Sequence, residues 1–122
     1  MRRLAISVAA ALLAVIAAAP AGAGPNAFSF VQVVEKEWSL VLSRQSVRAG
    51  SVSLELVNFG MDNHDLVVQS AKAGSKPVRY KQLAPRARAE KTLRLAAGRY
   101  LLWCSLAGHK AKGMRATLRV NP

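Results

Sequence analysis

The 122-residue chain contains one cysteine and two histidines, and methionines stand near both histidines. Cys104 and His109 are separated by four residues, and four more separate His109 from Met114, so one loop can carry thiolate, imidazole and thioether to a single point. His64 must arrive from another segment, where Val57-Asn58-Phe59-Gly60 turns before Leu66-Val67-Val68. Two imidazoles and a thiolate in a near-trigonal plane, with a distant methionine sulfur, suit copper in both oxidation states. Soft sulfur favours Cu(I), while imidazole serves Cu(II). The expected ligands of one copper ion are therefore His64, Cys104, His109 and Met114, with Met61 the other candidate axial sulfur. Taken singly, a lone cysteine reads as a small core hydrophobe and an inward methionine as core filling. Their combined spacing favours the metal. Such a site reserves no strong position for a substrate, and two histidines are too few for additional histidine-rich copper centres, so no enzymatic activity is expected.

The elements that must position these groups read as short strands. Trp38, Leu40 and Leu42 alternate with Ser39 and Ser43, and Val52, Leu54 and Leu56 alternate with Ser51, Ser53 and Glu55, with a turn at Ala49-Gly50. Trp38 is expected in the core. Further strands are expected at Leu66-Val67-Val68, around Leu93 and Leu95, and from Arg99 to Leu106 after the turn at Gly98. In the last strand Met114, Ala116, Leu118 and Val120 share one parity, which turns Met114 toward the core. Residues 71–90, polar and interrupted by Gly74, Pro77 and Pro85, read as loops around one short strand or helical turn. The pattern predicts an all-β, antiparallel Greek-key β-sandwich or barrel.

The segments Cys104-Ser-Leu-Ala-Gly-His109-Lys-Ala-Lys-Gly-Met114 and Asn58-Phe59-Gly60-Met61-Asp62-Asn63-His64-Asp65-Leu66 resemble the cupredoxins, the type 1 blue copper proteins of the plastocyanin/azurin superfamily. The loop spacing is most similar to rusticyanin- and sulfocyanin-type members. The resemblance implies that both histidines bind copper through Nδ1, with His64 shielded and His109 the exposed gateway for electrons. Several members have asparagine or serine where this chain has Asp65. The Asp65 backbone N–H can still donate to the thiolate, and its carboxylate can accept from Ser105, a tie of the kind that fixes ligand geometry. By analogy with the aromatic neighbour of the ligand cysteine in plastocyanin, Trp103 offers a route to the copper, against the plainer reading of packing.

Residues 1–23, with Arg2-Arg3 ahead of an apolar stretch and Ala21-Gly22-Ala23 at its end, have the order of a cleaved signal peptide. Cleavage leaves residues 24–122 as one copper-binding domain, periplasmic or otherwise exported and without a transmembrane span. In that setting a single cysteine is buried, paired between chains or metal-bound. The formal charge is +12, unevenly spread: residues 26–70 carry three basic and five acidic side chains, whereas residues 71–122 carry thirteen basic ones against Glu90 alone. This skew favours acidic partners or anionic surfaces, and no nucleic-acid-binding motif is present. Lys110 and Lys112, beside the small apolar set Leu106, Ala107 and Ala111, are placed to steer an acidic partner toward His109. The leading expectation is a monomeric one-electron carrier between redox proteins such as a cytochrome and an oxidase or reductase. The alternative is copper storage or delivery as Cu(I).

Overall fold

Alternation of inward apolar and outward polar residues builds nine strands in a computed structural model that describes residues 28–122. The expected signal segment, residues 1–23, lies outside the described residues. The strands are β1 (Phe28–Lys36), β2 (Ser39–Leu42), β3 (Ser46–Arg48), β4 (Gly50–Asn58), β5 (Val67–Ser70), β6 (Val78–Arg79), β7 (Arg88–Leu95), β8 (Gly98–Trp103) and β9 (Arg115–Asn121). They form one sheet ordered β2-β1-β4-β7 and a second ordered β3-β9-β8-β5-β6. Val31, Val33, Val52, Leu54 and Leu56 from the first sheet meet Val68, Leu102, Leu118 and Val120 from the second in one buried core. The β-sandwich expected from the sequence is therefore present. Its pairing is not uniformly antiparallel, however, because β1 runs parallel to β4 and β3 parallel to β9. The short β3 joins the second sheet between β2 and β4, so β4 re-enters the first sheet in the direction of β1.

This topology gathers three connections at one pole. Glu35 lies opposite Asn58, so the β1–β2 turn and the β4–β5 connection start side by side. Trp103 lies opposite both Val67 and Arg115, which brings the start of β5 and the β8–β9 loop to the same end. The histidine and the cysteine loop predicted to share a site are thus delivered from different sheets to one place.

One inward position breaks the apolar pattern. Glu35 shares parity with Val31 and Val33, is fully buried, and both its carboxylate oxygens lack a hydrogen-bond partner among the described residues. Burial, aided by the nearby Asp65 carboxylate, pushes its pKa up to about 8. A carboxyl ionising near 4.5 when unfolded and near 8 when folded binds more protons in the folded state between those values, so stability falls as pH rises through that window. Glu35→Gln is expected to flatten this decline, by roughly 3 kcal/mol between pH 4.5 and 7. Thermal melts of both proteins across that range check it; parallel pH profiles would refute it.

Candidate metal centre

His64 sits in the β4–β5 connection, where its backbone exchanges hydrogen bonds with Leu83: its N–H donates at 3.1 Å and its carbonyl accepts at 2.7 Å. Asn58, fully buried, shapes the approach. Its amide donates to the carbonyls of Asp62 and Leu83 at 2.8 and 2.9 Å and accepts from the Gly60 N–H at 2.8 Å. The His64 ring is itself fully buried, and its Nε2 lies 2.9 Å from Glu37 Oε1. Glu37 comes from the β1–β2 turn and also accepts from the Asp62 and Met61 N–H groups at 2.8 and 2.9 Å. These backbone donors, with His64 as a lesser contributor, hold its carboxyl down at about 2. An ionised Glu37 accepts and does not donate, so it places the ring proton on His64 Nε2 and leaves the Nδ1 lone pair free. Nδ1 then points into the pole.

There it meets the β8–β9 loop. His64 Nδ1 lies 3.2 Å from His109 Nδ1, which lies 3.5 Å from Cys104 Sγ, and one ligand atom from each of the three residues falls within 4.8 Å of the others. Nitrogen lone pairs and a sulfur converging this closely repel one another unless protons or a shared cation stand between them. The loop closes on itself through Cys104 N–H donating to the Met114 carbonyl and Met114 N–H donating to the His109 carbonyl, both at 3.1 Å. Met114 is 0% exposed at the end of this loop, whereas Met61 is 85% exposed, which separates the two methionines considered as axial sulfur.

Cys104 is buried, and desolvation pushes its thiol up to about 11 despite donation from the backbone of Asp65 and Leu106. A cation reverses that balance, so metal binding there displaces a proton. The Asp65 N–H points at Sγ from 3.5 Å. The Asp65 carboxylate accepts from the Ser105 N–H at 2.6 Å and from the Ser105 hydroxyl at 2.5 Å, tying the His64 segment to the cysteine loop. Removing such an outer tie commonly weakens metal binding by about 10–100-fold. Asp65→Ala is therefore expected to lower copper affinity within that range, read by competition with a chromogenic chelator; an unchanged affinity and spectrum would mean that the tie is idle.

Trp38 departs from its expected place. It keeps the parity of Leu40 but stands just before β2 begins, at the pole and not above the core, and is 38% exposed. Its ring meets the His109 ring edge-on, with centroids 4.9 Å apart, and Lys112 Nζ lies 3.8 Å from its centroid. Gly113 presses on the same residue: at φ 124° and with any Cβ only 2.8 Å from the Trp38 carbonyl, this position admits glycine. Glu37 escaped the reading of the sequence, which placed Asn58 and Gly60 in the segment leading to His64 but gave neither a role. A Cβ on Gly60 would lie 2.8 Å from His64 Nε2 and 2.9 Å from Glu37 Cδ, so glycine is needed for the carboxylate and ring to meet. No periodicity marks these residues, and the Glu37–His64 contact spans 27 positions.

No protein-family model and no curated protein matches the chain. Solved structures do. Auracyanin from Roseiflexus castenholzii superposes with a TM-score of 0.64 at 17% identity, over 80% of this chain and 99% of that one. Auracyanin A from Chloroflexus aurantiacus, described as a "blue" copper protein, gives 0.62 at 16% identity over 78% and 100%. Amicyanin from Paracoccus versutus gives 0.55 at 19% identity over 75% and 80%. The fold is the cupredoxin fold.

Proposed function

We propose that this chain is an exported type 1 (blue) copper protein that carries single electrons between redox protein partners. The observation that carries the reading is the convergence of His64 Nδ1, Cys104 Sγ and His109 Nδ1, ligand atoms of the set that copper favours in both oxidation states. Likeness in fold to a protein described as a blue copper protein supports it. Bound copper supplies the one-electron Cu(I)/Cu(II) couple; the protein holds donors for both states in one place. His64 is buried and fixed from behind by Glu37, Cys104 is buried and braced by Asp65, and Met114, buried at the end of the same loop, would offer the metal its thioether. Half-buried His109 is the ligand nearest solvent and the point where electrons enter and leave. Around it Leu106, Ala107 and Ala111 form a small apolar docking patch, and Lys110 and Lys112 steer an acidic partner onto it. Residues 1–23 act as the cleaved export signal and residues 24–122 as the copper domain.

Retention of the metal through turnover separates a carrier from a copper-delivery protein. The copper-loaded chain is expected to bleach with reductant and recover its colour with oxidant over repeated cycles, without losing copper to an apo-acceptor or chelating resin. Quantitative transfer of Cu(I) on the first reduction would replace electron transfer with delivery.

A further inference from the structure

The outward face of the second sheet has a charge pattern that the metal centre does not use. Strands β3, β5, β6, β8 and β9 contain no aspartate, glutamate or lysine, and their five arginines, Arg48, Arg79, Arg99, Arg115 and Arg119, are all exposed. Each stands at the parity opposite to inward Val47, Val78, Leu102, Leu118 and Val120, so all five share one face. Arg99 lies directly opposite Arg119 across the β8–β9 pair, and Arg79, Val67, Trp103 and Arg115 stand in one row across four strands. None of the five is in an ion pair among the described residues. Like charges placed opposite each other on a sheet are destabilising, and nothing within these strands offsets them. The first sheet differs: on its outward side Arg88 pairs with Glu55 at 3.1 Å, and Glu90 stands opposite Glu55 on the same side.

Apolar groups lie among the arginines. Leu101 is 39% exposed, and Trp103, half-buried at the metal end, has Lys110 Nζ 4.2 Å from its ring centroid. A six-residue strand spans about 20 Å, so this cationic surface reaches well beyond the loop that surrounds His109.

We propose that this face docks on an anionic lipid membrane surface. An acidic protein engaging the copper pole reaches Lys110 and Lys112 but leaves Arg48, Arg99 and Arg119 at the opposite end idle. A planar array of phosphates meets all of them together. Arginine forks bind phosphate oxygens bidentately, while leucine and tryptophan side chains settle at headgroup level. Docked on this sheet, the protein keeps the pole that carries His109 directed along the membrane plane, clear of the lipid. The inference extends beyond the electron-carrier reading and requires neither copper nor a redox partner.

The test compares the copper-loaded protein, purified as its producing cells accumulate it, with two triple variants of equal net charge. R99Q/R115Q/R119Q alters the proposed face, and K36Q/K91Q/R94Q alters exposed positions of the first sheet. Co-sedimentation uses phosphatidylglycerol and phosphatidylcholine vesicles at moderate salt, with circular dichroism to check folding. The wild type and the first-sheet variant are expected to bind phosphatidylglycerol, while the face variant binds roughly a hundredfold more weakly, at about fivefold per arginine. In a Trp38→Phe background, Trp103 emission is expected to shift to the blue on binding. Equal weakening of both triples would reduce the effect to net charge and overturn the proposal. So would indifference of the wild type to phosphatidylglycerol, or binding to polyglutamate that the face variant loses while its vesicle binding is intact.

Discussion

Replacing Cys104 with alanine is expected to remove the intense visible absorption of the copper-loaded protein entirely and to weaken Cu(I) binding by several orders of magnitude. The size follows from what the residue contributes. Thiolate is the soft ligand of the set, and the sulfur-to-copper transition that gives such centres their colour requires that bond. His64 and His109 remain after the substitution, with their Nδ1 atoms 3.2 Å apart, and retain weak Cu(II) binding of ordinary pale colour. Although Cys104 is fully buried, alanine removes only its sulfur atom, so the melting temperature of the apo form is expected near that of the wild type. Titration with one equivalent of Cu(II), followed by visible spectroscopy, decides the matter. A band that survives in the alanine protein would remove Cys104 from the metal centre and with it the proposed function.

Gly60→Ala is expected to have the second-largest effect, although Gly60 itself offers no side chain to the metal. The new methyl group must occupy space 2.8 Å from His64 Nε2 and 2.9 Å from Glu37 Cδ, so the carboxylate or the ring has to move. Overpacking a tight junction of this kind costs about 1–3 kcal/mol. For a domain of this size that lowers the melting temperature by roughly 10 °C. Copper affinity falls as well, because a displaced Glu37 no longer fixes the Nε2–H tautomer of His64. Combining the change with Glu37→Ala tests the cause. The carboxylate clash disappears in that background, so Gly60→Ala should cost less there than in the wild type, a non-additivity readable from four thermal melts. Strict additivity would place the damage elsewhere.

The sequence was legible wherever chemistry was scarce or periodicity simple. A single cysteine and two histidines leave little choice in assembling a sulfur–nitrogen site, and the structure gathers all three. The tie from Asp65 to Ser105 was legible because both residues adjoin metal-ligand candidates. Parity served β4 and β9, whose inward residues Val52, Leu54, Leu56, Leu118 and Val120 are buried. It served β1 poorly: Phe28 and Phe30 face outward, 65% and 42% exposed, while Glu35 faces inward, so hydrophobicity points the wrong way at both ends of that strand. Trp38 shows another limit, since parity specifies a face but not whether a residue lies within the sheet or beyond its edge. Glu37 was invisible because its role depends on the parallel β1–β4 pairing, a long-range contact that local pattern does not encode. The scatter of basic residues along the chain disguised the array of Arg48, Arg79, Arg99, Arg115 and Arg119 on the outward face of the second sheet, which only strand register reveals.

The lengths of the outer strands carry a consequence for the behaviour of the chain in bulk. A sandwich of two open sheets has four edges, each with unpaired backbone groups that invite another copy to add a strand. Here β2 has four residues, β3 three and β6 two, too little backbone to nucleate such growth. The fourth edge, β7, is eight residues long, but Arg88, Glu90, Lys91 and Arg94 crowd it with solvated charge. Amyloid-like, edge-to-edge polymerisation therefore finds little backbone on these four strands, and it would start instead where β1 runs on past the short β2, at the stretch that carries exposed Phe28 and Phe30.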